Sequence, residues 1–176
     1  MIANLSGRIT DIQSDRVIVE IGGIGFWVYI TNPVRETLKV GESASFYTHL
    51  VVREDALTLY GFATAEEREY FNLLLGVNGV GPRLALATLS TLNPAAIRRA
   101  VFSEQPEVFT RVPGIGSRTS QRVLLHLQGR LDDSDDLEAM VDFADTDTQV
   151  VEALVALGYS VVEAQAAVQN IPKDAP

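Results

Sequence analysis

Two short glycine-rich segments are the parts of this sequence best suited to chemistry. Val77–Leu84 reads VNGVGPRL and Val112–Thr119 reads VPGIGSRT, the same pattern 35 residues later. In each segment two glycines flank one apolar residue, so the backbone can turn through conformations that a Cβ would penalise while the apolar side chain anchors the turn. Each segment is expected to open a helix, as in a helix–hairpin–helix written twice. Bare amide groups at the positive end of a helix form an anion site that a phosphate can approach, because no side chain blocks it.

Arginines stand at matching positions in the two segments. Arg83 and Arg118 each follow the second glycine by two residues, and Arg122 lies one helical turn beyond Arg118 on the same face. Contacts of this kind go to the phosphate backbone and position a protein on DNA without reading bases. The repeat therefore predicts sequence-independent DNA binding; the alternative is that each segment is only a turn between helices. The candidate DNA-binding residues are Asn78, Gly79, Val80, Gly81, Arg83, Gly114, Ile115, Gly116, Ser117, Arg118 and Arg122.

The charge of the chain is unevenly distributed. A net charge of −9 disfavours a nucleic-acid partner, because phosphate binding needs a positive surface. Residues 63–130, however, hold eight Arg and five Glu, a net charge of +3. Residues 1–62 hold five Lys or Arg and seven Asp or Glu, and residues 131–176 hold one Lys and eleven Asp or Glu. The only basic part of the chain is therefore the part that carries both glycine segments.

Patterns of other catalytic, metal or membrane sites are missing from the sequence. The chain has no Cys, and so no disulfide or thiolate metal site, and no G-x-x-x-x-G-K-[ST] phosphate loop for ATP hydrolysis. His49 and His126 have no ligand partners near them in sequence and are interpreted as core or surface histidines rather than metal ligands. No apolar run reaches the roughly 18 residues of a membrane helix, and the first residues lack a signal-peptide layout. We expect a cytoplasmic protein without a metal or cofactor.

One pair of adjacent carboxylates, Glu54 and Asp55, falls at a predicted turn between two strands. From the residue types alone the pair is the solvated tip of a hairpin, and a functional acid pair is the alternative. An enzymatic hypothesis competes with simple DNA binding: a helix–hairpin–helix nuclease in which these carboxylates hold Mg²⁺. Two neighbouring carboxylates on a turn lack the further ligands that such a site needs.

The elements that position these residues change in type near residue 63. The first 62 residues predict five short strands with glycine bends, typical of a small OB-type barrel, with a half-open sandwich as the alternative. From Thr64, a predicted N-cap with Glu66 and Glu67 in the first turn, the apolar residues follow a helical period. The predicted strands are Ile2–Ile12, Arg16–Ile21, Phe26–Ile30, Ser43–Arg53 and Leu57–Phe62. The helices predicted after the first are Pro82–Leu92, Pro94–Val101, Glu104–Thr110 and Ser117–Leu131.

The C-terminal quarter differs again in composition. Residues 132–147 are dominated by acid and predict a flexible linker, with a helix as the alternative. Helical periodicity returns after Thr148 in a short helix that stops at Gly158, and Ser160-x-x-Glu163 is a capping-box match that opens a second helix. We therefore predict an α+β multi-domain chain: a barrel over 1–63, a tandem helix–hairpin–helix domain over 64–131, a linker over 132–147 and a helical module over 148–176.

Several strings in the sequence together resemble the RuvA family of Holliday-junction-binding subunits. They are GGIG at 22–25, THLVVRED at 48–55, LYGF at 59–62, the two glycine segments, and VEALVALGY at 151–159. The resemblance implies an N-terminal OB barrel, a double helix–hairpin–helix domain and a mobile, UBA-like C-terminal domain. It also implies a four-fold homotetramer, two of which can sandwich a junction, that acts with the hexameric ATPase RuvB in branch migration and with the resolvase RuvC. The subunit itself would not be catalytic.

The resemblance also assigns roles to residues. It implies that Glu54 and Asp55 form acidic pins near the centre of the junction, where eight carboxylates would repel phosphate. It places the motor contact in the C-terminal module, at Leu154, Leu157, Gly158 and Tyr159. Two departures stand out: Ser117 occupies a position where many relatives carry a basic residue, and only two C-terminal helices are expected before Pro176, so that the family's third helix is missing.

Overall fold

The computed structural model describes residues 2–131 of the chain. These residues belong to one compact unit, Met1–Leu131. The predicted linker over 132–147 and the predicted module over 148–176, including Leu154, Leu157, Gly158 and Tyr159, lie outside the described residues. Within residues 2–131, no helix has both the length and the apolar character needed to span a membrane.

A closed five-stranded barrel forms the N-terminal part, as the OB interpretation predicts, and the half-open sandwich is excluded. Its sheet order is β1-β2-β3-β5-β4, and β1 closes the ring because it pairs with both β2 and β4. Only the β3–β5 pairing is parallel. The strands are β1 Asn4–Ile12, β2 Arg16–Ile21, β3 Ile24–Ile30, β4 Ser43–Val52 and β5 Leu57–Phe62.

Alternation of side chains along the strands separates the barrel interior from its outer face. Val17 and Val19 of β2 and Val28 of β3 are fully buried in the interior. Gly61 of β5 lies so close to Val28 that a Cβ at this position would come within 2.6 Å of its Cγ1. The interior is therefore closely packed, mainly by branched apolar residues.

A short helix between β3 and β4 was not predicted from the sequence. This helix, α1 (Asn32–Thr37), has Pro33 in its first turn and buries Val34 in the same cluster as the barrel interior. It has only six residues, too few to display a helical period, so its formation depends on packing against the barrel.

The second half of the unit is helical, as predicted. Its elements are α2 Ala65–Leu75, α3 Pro82–Thr91, α4 Pro94–Phe102, a 3₁₀ helix Pro106–Arg111, and α5 Ser117–Leu127. The N-cap prediction at Thr64 is confirmed, because its hydroxyl accepts a hydrogen bond from the Glu67 amide at 3.1 Å.

Two of the predicted helices were wrong in type or extent. The segment predicted as Glu104–Thr110 is a 3₁₀ helix that begins only at Pro106, because Glu104 adopts a left-handed conformation with φ 51° and ends the preceding helix. The helix predicted as Ser117–Leu131 ends at Leu127, two residues before Gly129 turns the chain with φ 76°. In both places a left-handed residue overrides the apolar periodicity.

Aromatic packing around Phe71 of α2 joins the barrel to the helices. The Phe71 ring centroid lies 5.0 Å from that of Tyr60 and 4.9 Å from that of Phe62, both on the outer side of β5. His49 of β4 adds an edge contact at 5.4 Å. Phe71 is fully buried, and the two halves share this hydrophobic cluster. Strands β4 and β5 are thereby packed directly against α2.

The left-handed Glu104 gives a test of the helix-ending geometry. Its amide bonds to the Val101 carbonyl, and the Gln105 amide to the Ala100 carbonyl, the arrangement that usually has glycine at this position. We expect Glu104→Gly to raise the free energy of unfolding by about 0.5–1 kcal/mol, because relief of the left-handed backbone outweighs the extra entropy of unfolded glycine. Urea unfolding measures the change. The matched control Glu107→Gly should lower stability; a stability loss in Glu104→Gly as well would contradict the account.

Candidate nucleic-acid interface

The two glycine segments adopt the same backbone conformation. Gly79 and Gly114 have φ angles of 91° and 93°. Gly81 and Gly116 are the N-caps of α3 and α5, with φ and ψ of −91° and 174° in the first and −92° and 175° in the second. The sequence repeat is therefore also a structural repeat of two equivalent hairpins, which we call hairpin 1 (Val77–Gly81) and hairpin 2 (Val112–Gly116).

The apolar residue at the centre of each hairpin points into the core, as predicted. Val80 and Ile115 are each only 5% exposed. The amide of Val80 bonds to the Val77 carbonyl at 3.0 Å, and the amide of Ile115 bonds to the Val112 carbonyl at the same distance. These internal contacts fix both hairpins without any ligand.

The prediction that both glycines of each pair adopt a conformation that a Cβ would penalise was wrong for the second glycine. Only Gly79 and Gly114 are left-handed, whereas Gly81 and Gly116 have extended backbones that any residue can adopt. A Cβ at Gly81 or Gly116 would meet no atom of the protein within 4 Å. The fold does not require glycine at these positions, and its effect is to leave the surface above the helix start open.

The starts of α3 and α5 also differ from those of the neighbouring helices. Thr64 caps α2, and the Asn93 side chain caps α4 by accepting from the Ala96 amide at 2.8 Å. At α3 and α5 the N-cap is glycine and no side chain caps the amides. The first amides of a helix have no partner within the helix, so these two helix starts keep donors and a positive dipole end available for an anion.

The helix after each hairpin contacts the other hairpin. Leu84 of α3 lies 3.2 Å from where a Cβ of Gly114 would be, and the Nη1 of Arg122 on α5 lies 3.8 Å from the equivalent point at Gly79. The structure therefore places Arg122 beside hairpin 1, although the sequence associates it with hairpin 2. The two hairpins and the helix starts that follow them therefore lie on one surface rather than on two separate ones.

The remaining candidate side chains at the hairpins are exposed. Asn78 flanks hairpin 1, and Ser117 and Arg118 follow hairpin 2. Within residues 2–131, Arg118 makes no ion pair. Arg83, by contrast, contacts residues of the barrel. Its Nη1 lies 4.0 Å from the Asp15 carboxylate, and its guanidinium lies 5.4 Å from the Tyr29 ring centroid.

Asp55, one of the two acids, lies across a cleft from Gly81 and the start of α3. Glu54 and Asp55 occupy the tip of the β4–β5 turn, which is closed by a hydrogen bond from the Arg53 amide to the Ala56 carbonyl at 2.9 Å. Both carboxylates are exposed, and neither forms an ion pair with any described residue. A cleft of about 440 Å³ is lined by this turn on one side and by Gly81–Leu84 on the other.

Arg53 is a feature of this cleft that the sequence reasoning missed. It lines the cleft together with Asp55 and Arg83, and both arginines act electrostatically on Tyr60. Burial raises the pKa of Tyr60, and these two positive charges oppose that rise. The signal in the sequence was the direct adjacency of Arg53 to the acid pair.

Neither histidine belongs to this surface. His49 contacts Phe71 and hydrogen-bonds the Asn72 side chain, and burial lowers its pKa. His126 packs against Gly76 and hydrogen-bonds the Leu73 backbone, and burial lowers its pKa as well. Among residues 2–131, no group of three or more His, Cys, Asp or Glu side chains could hold a metal ion.

Comparison with known proteins gives matches over nearly the whole chain. Residues 1–61 match the RuvA N-terminal domain family, residues 71–128 the SAM-like tandem helix–hairpin–helix family, and residues 147–176 the RuvA C-terminal domain family. The chain is 43% identical to a protein of Thermobifida fusca, with 99% of this chain and 90% of that protein covered. It is 44% identical to a protein of Beutenbergia cavernae, with 99% and 88% covered. A protein of Chloroflexus aggregans is 43% identical, with 100% and 91% covered.

All three relatives carry the name Holliday junction branch migration complex subunit RuvA. The N-terminal family match coincides with the barrel, and the tandem family match contains both hairpins. With identities above 40% over full-length alignments, the chain belongs to the RuvA family.

Proposed function

We propose that this chain binds Holliday junctions in a structure-selective, sequence-independent manner, as the non-catalytic subunit of a branch migration complex. The observation that carries the proposal is the pair of equivalent, uncapped helix starts that share one surface. The relatives of this chain are each named as a subunit of a Holliday junction branch migration complex. Recombination and DNA repair are the processes that use such junctions.

Phosphate binding at each hairpin follows from the open helix start. A phosphate oxygen can approach the amides of α3 or α5 because Gly81 and Gly116 present no Cβ. Arg118 and Arg122 add positive charge at the same surface, and Asn78 and Ser117 offer polar side chains at its edges. Such contacts hold the backbone of a duplex and leave the bases unread.

The acid pair gives this platform its selectivity for an open junction. Exposed carboxylates near a phosphate repel it, and the repulsion is strongest where several acids converge. In a four-fold tetramer, Glu54 and Asp55 of each subunit would supply eight carboxylates at the centre, where the strands of a junction separate. A continuous duplex laid across the centre would bring its phosphates onto these acids.

The assembly and its partners complete the proposal. The subunit acts as a cytoplasmic homotetramer, two of which can enclose one junction. The motor RuvB supplies ATP hydrolysis and docks on the C-terminal module over 148–176 through Leu154, Leu157, Gly158 and Tyr159; the resolvase RuvC acts in the same complex. The barrel over 1–63 and the helical domain over 64–131 form the DNA platform, with 132–147 as the linker to the motor-binding module.

A nuclease is the competing function, with Glu54 and Asp55 as Mg²⁺ ligands. Adjacent carboxylates on an exposed turn do not supply the set of ligands that a two-metal phosphodiester site uses. We expect the full chain, incubated with a four-way junction and Mg²⁺, to leave all four strands intact on a denaturing gel. Cleavage that is lost in Asp55→Asn would establish the nuclease and contradict the platform.

The second glycines distinguish a phosphate site from a simple turn. We expect Gly81→Ala and Gly116→Ala to change the free energy of unfolding by no more than about 1 kcal/mol, because the new methyl group meets nothing in the protein. Junction affinity should fall about tenfold or more, since hydrogen bonds to charged groups contribute about 1.5–3 kcal/mol. Gly79→Ala is the contrasting variant, because its left-handed backbone makes it lose stability as well. Unchanged junction affinity in Gly81→Ala and Gly116→Ala would mean that the hairpins are only interhelical turns.

Neutralising the acid pair tests the selectivity. Glu54→Gln combined with Asp55→Asn should raise affinity for linear duplex several-fold, because each carboxylate repels a nearby phosphate by about 1 kcal/mol. Competition between a labelled junction and excess linear duplex measures the change. Glu36→Gln with Glu42→Gln is the matched control, removing two exposed acids that precede β4, at the far end of that strand from the turn. A fall in duplex affinity would refute the repulsive role, and equal junction and duplex affinities in the native protein would indicate a general DNA-binding scaffold.

A further inference from the structure

The outer face of β2 and β3 carries an exposed cation–aromatic strip beside hairpin 1. Arg16 and Tyr29 are paired in the β2–β3 register, and Trp27 lies two residues from Tyr29 on the same face. Trp27 is the only tryptophan of the chain and is 41% exposed. None of these residues belongs to the hairpins or to the acid pair.

Three neighbours hold the Arg16 guanidinium in one orientation. Its central carbon lies 4.0 Å from the Trp27 ring centroid, within stacking distance. The Nη1 donates to the Tyr29 hydroxyl at 3.2 Å, and the Nε donates to the Gln13 side-chain oxygen at 3.1 Å. The arginine is therefore preorganised, and it covers one face of the indole ring.

This strip continues directly into the DNA-binding surface. Arg83, two residues after the second glycine of hairpin 1, lies over the opposite end of the strip at Tyr29. The carboxylate of Asp15 lies 4.0 Å from both Arg16 Nε and Arg83 Nη1. Two arginines from different elements thus share one carboxylate, and a phosphate oxygen could be bound by the same pair of cations.

The position of the strip in the barrel favours DNA as its ligand. In OB barrels the face of strands 2 and 3, with the loops between strands 1–2 and 4–5, is the usual surface for oligonucleotides. Here the first loop holds Asp15, the second holds Arg53 and the acid pair, and Tyr29 and Arg83 line the cleft beside the second. A strand bound at hairpin 1 and extended toward β2 and β3 would pass Arg83 and then Arg16, which lie on either side of Asp15.

We propose that Arg16, oriented by Trp27, binds the phosphodiester backbone of a DNA strand that extends from hairpin 1 onto the barrel. This rests on the proposed function and adds a contact outside the helix–hairpin–helix motifs. Arg16 touches the phosphate, and Trp27 acts by positioning it.

Junction binding over a range of salt concentrations tests the contact. Arg16→Ala in the full chain should make the slope of log affinity against log salt shallower by about 0.9 per lost duplex phosphate, or about 0.7 if the strand is single. Trp27→Ala should weaken binding in the same direction, and Trp27→Phe should restore it, because a phenyl ring can still stack on the guanidinium. Arg8→Ala is the matched control: Arg8 is an exposed arginine on β1, paired with Glu20 at the other end of β2, and it should leave the slope unchanged.

Tryptophan fluorescence gives a second readout, because Trp27 is the only source of that emission. Junction DNA should reduce the quenching of Trp27 by acrylamide, a neutral quencher. If Arg16→Ala matches Arg8→Ala while Arg118→Ala still weakens binding, the barrel contact is refuted and the proposed function stands. If Trp27 is already shielded in the free protein and DNA changes nothing, the face is a contact between copies of the chain and this inference is overturned. If the native protein fails to prefer junctions but Arg16→Ala lowers its affinity for duplex, the barrel contact holds and the proposed function fails.

Discussion

The left-handed conformation of Gly79 and Gly114 is the constraint on which both hairpins, and the anion sites proposed at them, depend. The reversal of the chain at these residues brings the next side chain, Val80 or Ile115, into the core. The following glycine, Gly81 or Gly116, has an extended backbone and is the N-cap of the next helix. The two glycines of each hairpin therefore have different structural effects. The first permits the turn, and the second leaves the surface above the helix start open. A hairpin that served only as a turn would require glycine only at the first of the two positions, Gly79 or Gly114.

Packing around Phe71 joins the helices that carry the hairpins to the barrel that carries the acid pair. Phe71 contacts Tyr60 and Phe62 on β5, the strand that follows the acidic turn, so this strand packs directly against α2. Hairpin 1 begins directly after α2, and a single cleft separates it from Asp55. The proposed attraction at the hairpins and the proposed repulsion at the turn would therefore act from two parts of one compact unit.

The parts of this architecture that sequence patterns predicted are those determined by local interactions. The strands follow from alternation, the Thr64 cap from its side chain, and the hairpins from a repeat that includes their glycines. The parts that were missed depend on tertiary contacts. Helix α1 is stabilised by burial of Val34 rather than by any periodicity, and Glu104 takes a left-handed position that composition assigns to glycine. The sequence spacing predicted that Arg83 would face a bound phosphate. It could not reveal that Asp15, in the β1–β2 loop, lies 4.0 Å from the Arg83 guanidinium and competes with a phosphate for this arginine.

The central claim is that the amides at the starts of α3 and α5 bind DNA phosphates, and amide NMR tests it most directly. In a ¹⁵N-labelled, deuterated protein titrated with a four-way junction, the Gly81 and Gly116 amide signals should shift together and with the same dependence on DNA concentration. The Gly41 and Gly129 signals, from exposed glycines outside both hairpins, serve as references and should stay in place. Saturation of the protein with junction while the Gly81 and Gly116 signals remain unshifted would contradict the account.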